Sequence, residues 1–152
     1  MRRCGPPNDS CGNMHPSPHN SKAILFIDSN DTDRQYYVQR LKQSCQDVRI
    51  YEASSGKRGL ELYYANLIDC VILELGLPDI SGFEVLTTLV PIARAPELPV
   101  IILTKLSSLP FLQVAKLNGA QAIFQKPTAS GDDLVKAVLK ALARVQRDPK
   151  KY

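Results

Sequence analysis

Four polar residues each close a strand-like run: Asp28 after Ala23–Ile27, Glu74 after Cys70–Leu73, Thr104 after Pro99–Leu103 and Lys126 after Ala122–Gln125. Together they hold two carboxylates, a hydroxyl and an ammonium, a set suited to binding and balancing charge. In open α/β sheets, ligands and chemistry collect beyond the carboxyl ends of the strands. If the runs are parallel strands, the four residues fall on one rim. A single polar residue at a strand end needs no special explanation, because strand ends meet solvent. Four of them, each ending its own run, point to a shared pocket with Glu74 as the residue on which function turns.

The intervening segments supply the helices that such a sheet needs. Asp31 or Thr32 is placed to cap a helix with Tyr37, Val38, Leu41 and Cys45 on its apolar face. Asp47–Ala53 alternates as a strand, and Gly56–Asn66 reads as a helix presenting Leu60, Tyr63, Tyr64 and Leu67. Gly59 weakens that helix by about 1 kcal/mol relative to alanine. A turn-rich loop, Leu75–Ser81, precedes a helix from Gly82 that presents Phe83, Leu86 and Val90. A short helix over Pro110–Leu117 is stopped by Asn118-Gly119. The last helix opens at Ser130, and its stripe is Leu134, Val138, Ala141 and Val145. Strands alternating with helices in this way predict right-handed βαβ units, a doubly wound five-stranded parallel sheet of (βα)5 type covered on both faces. Continuous apolar strands agree, since a sheet buried on both faces has no polar side.

From about Lys22 to Leu142 the chain resembles a bacterial two-component receiver domain, the CheY-like, flavodoxin-like α/β fold. The resemblance is carried by Ile24-Leu25-Phe26-Ile27-Asp28, Val71-Ile72-Leu73-Glu74-Leu75, Leu77-Pro78-Asp79-Ile80-Ser81-Gly82, Pro99–Thr104, and Asn118-Gly119-Ala120 leading to Lys126-Pro127. It implies strand order 2-1-3-4-5 and a cis peptide before Pro127. In that family an acidic pair after the first strand and an aspartate ending the third bind Mg²⁺, and the aspartate accepts a phosphoryl group. The resemblance makes Thr104 and Lys126 the phosphate contacts, Asp28 the first acid and Glu74 the phosphoacceptor position.

Three departures from the family pattern change the implied chemistry. Ser29 stands where the second acid belongs, Glu74 replaces the aspartate, and Ile123 occupies the position of the switch aromatic. Mg²⁺ wants near-octahedral oxygen ligands at about 2.0–2.1 Å, and Ser29 takes away a full negative charge. Glu74 is one methylene longer than aspartate, and in-line transfer needs reacting atoms within about 3–3.5 Å. The resemblance therefore implies an atypical receiver with no metal cofactor, or, if Mg²⁺ binds at all, one held by Asp28, Glu74 and Gly76. A permanent Glu74 carboxylate would stand in for part of the phosphoryl charge, paired with Lys126 and accepting from Thr104. Ile123 has no polar tip with which to swing, which favours a fixed conformation. The leading expectation is a phosphorylation-independent protein-binding module; the alternative is a working phosphoacceptor using Glu74 or Asp28 with Mg²⁺.

Composition narrows the field further. A chain of 152 residues with 44% hydrophobic and 22% charged residues fits one soluble domain. The net charge of +4 resides in the ends: residues 1–21 carry +1 and residues 144–152 carry +3, which leaves 22–143 neutral. Basic ends of this kind argue against a nucleic-acid surface on the domain. We read 1–21 as a disordered extension, 22–143 as the receiver-like domain and 144–152 as a basic tail. Cys4, Cys11, His15 and His19 are a zinc-capable set, but the gap of six residues between the cysteines is not a zinc-finger spacing. A metal or nucleic-acid role of this extension is the third and weakest reading. With no C-x-x-C pair, the cysteines indicate a reducing, cytoplasmic compartment, and no apolar run is long enough for a membrane. The only two histidines lie in the first 21 residues, so the body has none for a triad or proton shuttle, and no P-loop or nucleophile elbow is present. The sequence therefore reads as a non-enzyme with protein partners. The resemblance suggests a histidine kinase or an effector, or a second copy through the fourth helix, fifth strand and fifth helix, where Leu109, Pro110, Phe111 and Leu112 cluster.

Overall fold

The apolar runs pair into one parallel sheet in the order β2-β1-β3-β4-β5. The computed structural model describes residues 21–93 and 97–146. The expectations placed on residues 1–20, including Cys4, Cys11, His15 and His19, and on the chain beyond 146 lie outside the described residues. In chain order the elements are β1 (Ala23–Ile27), α1 (Asp31–Ser44), β2 (Arg49–Ala53), α2 (Gly56–Ala65) and β3 (Cys70–Leu73). There follow α3 (Gly82–Leu89), β4 (Val100–Thr104), α4 (Leu109–Leu117), β5 (Ala122–Gln125) and α5 (Gly131–Arg144).

The three central strands are apolar because both of their faces are covered. Side chains alternate across the sheet, so Ile24, Phe26, Ile72, Ile101 and Leu103 pack with Tyr37, Val38 and Leu41 of α1 and Leu134, Val138 and Ala141 of α5. On the opposite face Leu25, Ile27, Val71, Leu73, Val100 and Ile102 meet Val85, Leu86 and Leu89 of α3 and Ala115 of α4. Each fully buried aliphatic or aromatic side chain contributes roughly 1.5–3 kcal/mol. The edge strands β2 and β5 are only partly covered, which matches their more polar sequences.

Local chemistry sets the element ends. Asn30, rather than Asp31 or Thr32, caps α1: its side chain accepts the Asp33 amide at 2.9 Å, leaving Asp31 in the first turn. Ser55, Ser81 and Ser130 cap α2, α3 and α5 in the same way. Arg144 completes α5, so the helix reaches into the segment read as tail. The α2 face differs from the sequence expectation. Tyr64 is 71% exposed and Leu67 lies beyond the helix in solvent, because the buried positions of α2 are Gly56 and Gly59. A Cβ on Gly59 would sit 2.4 Å from Ile27 Cδ1. Its glycine is what lets α2 lie close to β1, so the loss in helix propensity is offset by packing.

The Lys126–Pro127 peptide is cis. Cys45 and Cys70 are free and buried, and burial pushes the Cys70 thiol up to about 12. Among the described residues no helix is long and apolar enough to cross a membrane.

Candidate functional site

Ladder hydrogen bonds that run one residue past the strands bring the four strand-end residues together. The Asp28 amide donates to the Ala53 carbonyl at 3.0 Å and the Glu74 amide to the Ile27 carbonyl at 2.9 Å. That register sets the two carboxylates side by side. The Lys126 amide donates to the Thr104 carbonyl at 2.8 Å, which places hydroxyl and ammonium on adjacent strands. All four side chains are buried. The chain then turns sharply after Glu74, and Gly82 has to be glycine there. A Cβ on it would lie 2.4 Å from Leu75 Cα and 2.5 Å from the Glu74 carbonyl oxygen.

Glu74 is enclosed by donors. Its Oε1 accepts the Gly76 amide at 3.0 Å and the Thr104 hydroxyl. Its Oε2 accepts the Lys105 amide at 3.2 Å and lies 3.2 Å from Lys126 Nζ. Asp28 is equally engaged, with Oδ1 accepting from the Asn30 amide at 2.9 Å and Oδ2 from Lys126 Nζ at 2.6 Å. The sequence pairs Lys126 with Glu74, and the ammonium keeps that partner among three. It is closest to Asp28, then to Asp33 at 3.1 Å and only then to Glu74. A buried ammonium costs several kcal/mol of desolvation and persists only with good partners. Burial works to lower the Lys126 pKa, but Asp28, Asp33 and Glu74 outweigh it and hold the ammonium above the ordinary lysine range. Burial likewise works to raise Asp33, and it is outweighed by Lys126 and Lys105, so that Asp33 sits below its ordinary value.

Of the remaining sequence candidates, Ser29 is exposed at the mouth of the site. Gly76 contributes its amide, and Ile123 packs on the side of the sheet that faces α3 and α4, away from the rim. A cleft of about 260 Å³ is lined by Asp28, Ser29, Asn30, Glu74, Gly76, Lys105 and Lys126. Two charged side chains of the cluster have no counterpart among the sequence candidates. Asp33 reaches Lys126 from the first turn of α1, and Lys105 places its Nζ 3.3 Å from Asp33 Oδ2. The available signals were position alone: Lys105 directly follows Thr104, and Asp33 stands three residues after the capping Asn30. Among the described residues no cluster of three or more His, Cys, Asp or Glu side chains is arranged to hold a metal ion.

A doubly wound sheet in this strand order, with buried acid, hydroxyl and ammonium groups at its carboxyl rim, defines the receiver class. A family model for the response regulator receiver domain matches residues 24–139. The chain belongs to that family and is a receiver domain of two-component signalling. The transcriptional regulatory protein AfsQ1 of Streptomyces coelicolor is 31% identical over 128 residues, covering 83% of this chain and 55% of the relative. The transcriptional regulatory protein SrrA of Staphylococcus aureus is 33% identical over 84 residues, 55% of this chain and 33% of SrrA. The chain thus spans about half or less of the length of these curated relatives. The crystal structure of a response regulator receiver domain protein from Clostridium thermocellum is 30% identical with a TM-score of 0.70, covering 81% of this chain and 95% of that one.

Proposed function

We propose that this receiver works as a protein-binding module without phosphoryl transfer, its pocket held in one state by Glu74. The observation that carries the reading is that both oxygens of Glu74 and both of Asp28 already engage the protein's own donors. A hard octahedral cation needs free oxygen ligands, and Ser29 adds no carboxylate, so the residues present do not suit Mg²⁺. An incoming phosphoryl group would have to displace Thr104, Gly76 and Lys105 from Glu74. The rival reading, a phosphoacceptor on Glu74 or Asp28 with Mg²⁺, is favoured by one feature: the cleft opens to solvent beside the exposed Ser29 and Gly76.

Incubation of the full chain with Mg²⁺ and a small acyl phosphate, followed by intact-mass measurement, separates the two. The expected result is an unmodified mass. A stoichiometric phosphoryl adduct that disappears in Glu74→Gln or Asp28→Asn would overturn the reading.

The proposed partner is a cytoplasmic protein of the signalling pathway, a histidine kinase or an effector. AfsQ1 and SrrA are named as transcriptional regulatory proteins, which favours an effector role in transcription for the longer polypeptides of this kind. The proposed contact face is formed by α4, β5 and α5, where Leu109, Val114 and Leu117 are exposed on α4; the half-exposed Phe111 borders it, its ring 6.0 Å from that of Phe83 on α3. Such an apolar patch suits either that partner or a second copy of the chain.

A further inference from the structure

α4 is the most weakly anchored helix of the fold. Ala115 is its only fully buried residue, and Ser108 makes no side-chain hydrogen bond to cap it. Its position therefore depends on the loop that enters it, residues 105–108. That loop is tied to the cleft at several points. The Lys105 amide reaches Glu74 Oε2 at 3.2 Å, the Leu106 amide reaches Thr104 Oγ1 at 3.1 Å, and Gln125 Nε2 donates to the Leu106 carbonyl at 3.2 Å. The remaining tie runs to α1 beside the cleft. Lys105 Nζ meets Asp33 Oδ2 at 3.3 Å, the same oxygen that Lys126 Nζ reaches at 3.1 Å.

We propose that Asp33 and Lys105 are positioning residues: their ion pair straps the β4–α4 loop to α1 and so sets where α4 lies. The inference rests on the reading of the cleft as a fixed charge cluster and deepens it. Asp33 brings a further carboxylate to the rim from the first turn of α1, where both ammonium groups already engage it. With that charge shared between two ammonium groups, the cluster beside the cleft includes side chains that Glu74 alone does not control. Asp33 is 28% exposed and Lys105 60% exposed, so the strap lies within reach of water and salt and can open without unfolding the sheet.

Native-state hydrogen exchange of the full chain, read by mass spectrometry, tests the strap with wild type, Lys105→Gln, Asp33→Asn and Lys105→Arg. Arg58→Gln, which removes an exposed pair within α2, is the control. Peptides over 105–117 are expected to exchange about two- to fivefold faster in Lys105→Gln and Asp33→Asn, the range that an exposed pair supports. In Lys105→Gln, which leaves the Asp33–Lys126 pair intact, β1 and α5 should stay unchanged; Lys105→Arg should keep wild-type protection, and added salt should speed wild type but not Lys105→Gln. Unchanged exchange over 105–117 in Lys105→Gln, a speed-up in that variant spread evenly over the domain, or faster exchange in Lys105→Arg as well would overturn the proposal. The mass experiment fails independently. A phosphoryl adduct sinks the phosphorylation-independent reading whatever the exchange shows, and a failed exchange pattern leaves an unmodified mass standing.

Discussion

With 3% of its side chain exposed, Lys126 keeps a charge in a closely packed fold because Asp28, Asp33 and Glu74 surround it. Removing the ammonium leaves those carboxylates facing one another without their shared counter-ion. Lys126→Ala is accordingly expected to lower stability by about 3–5 kcal/mol, the cost of breaking a buried pair, as measured by urea denaturation. The pH dependence follows from the direction of the shift. The folded pKa of Lys126 is raised, so its contribution is complete below the ordinary lysine value and is lost as pH climbs through the raised one. The difference between wild type and Lys126→Ala should therefore shrink at strongly alkaline pH, and also in acid as Asp33, whose folded pKa is lowered, takes up its proton. Glu74, Asp28, Thr104 and Lys126 were legible as a group because each ends a strand-like run. Asp33 was not, since nothing in a helix's first turn distinguishes a residue bent back over the sheet from one in solvent.

At the scale of elements, the turn after β3 is held by Asp79. Its Oδ1 accepts the Gly56 amide at 2.9 Å and its Oδ2 the Lys57 amide at 2.8 Å, at the start of α2. The Lys57 amide foremost, with those of Ile80 and Gly56, holds this solvent-facing carboxyl down at about 2. The helix N-terminus favours the charge in the same sense. Because the folded pKa is depressed, the contribution is present above the ordinary aspartate range and is lost as pH falls towards 2. The stability gap between wild type and Asp79→Asn is expected to close between about pH 4 and pH 2, which acid titration followed by circular dichroism would measure. If the gap persisted below that range, Asp79 would be contributing through something other than its charge. Asp79 stood in the recognised Leu77–Gly82 stretch, yet its tie to α2 was invisible there, because α2 and this loop meet only once β1 and β3 lie side by side.

For the whole molecule, the order of the sheet follows from alternating strands and helices together with the family resemblance. What remains outside the sheet is the apolar surface of α4, with Phe111 53% exposed and Leu117 78% exposed. If this face joins two copies, sedimentation velocity should show a dimer that grows with concentration, and Phe111→Asp with Leu117→Asp should abolish it without loss of fold. A wild-type chain that stays monomeric throughout would assign the face to a different protein partner.

The sequence by itself determined the parallel sheet, its two apolar layers and the polar rim, since strand alternation and strand-end residues are local patterns. The resemblance carried by the sequence also implies that Glu74 and Ser29 stand where receivers place an aspartate and a second acid. Only the tertiary structure decided how the charges pair. Lys126 turns to Asp28 before Glu74, Asp33 enters from α1, and Lys105 meets Asp33 from the β4–α4 loop. Those choices depend on distances between segments far apart in the chain, where a shift of about an ångström decides which carboxylate an ammonium meets. No periodicity in the sequence encodes that.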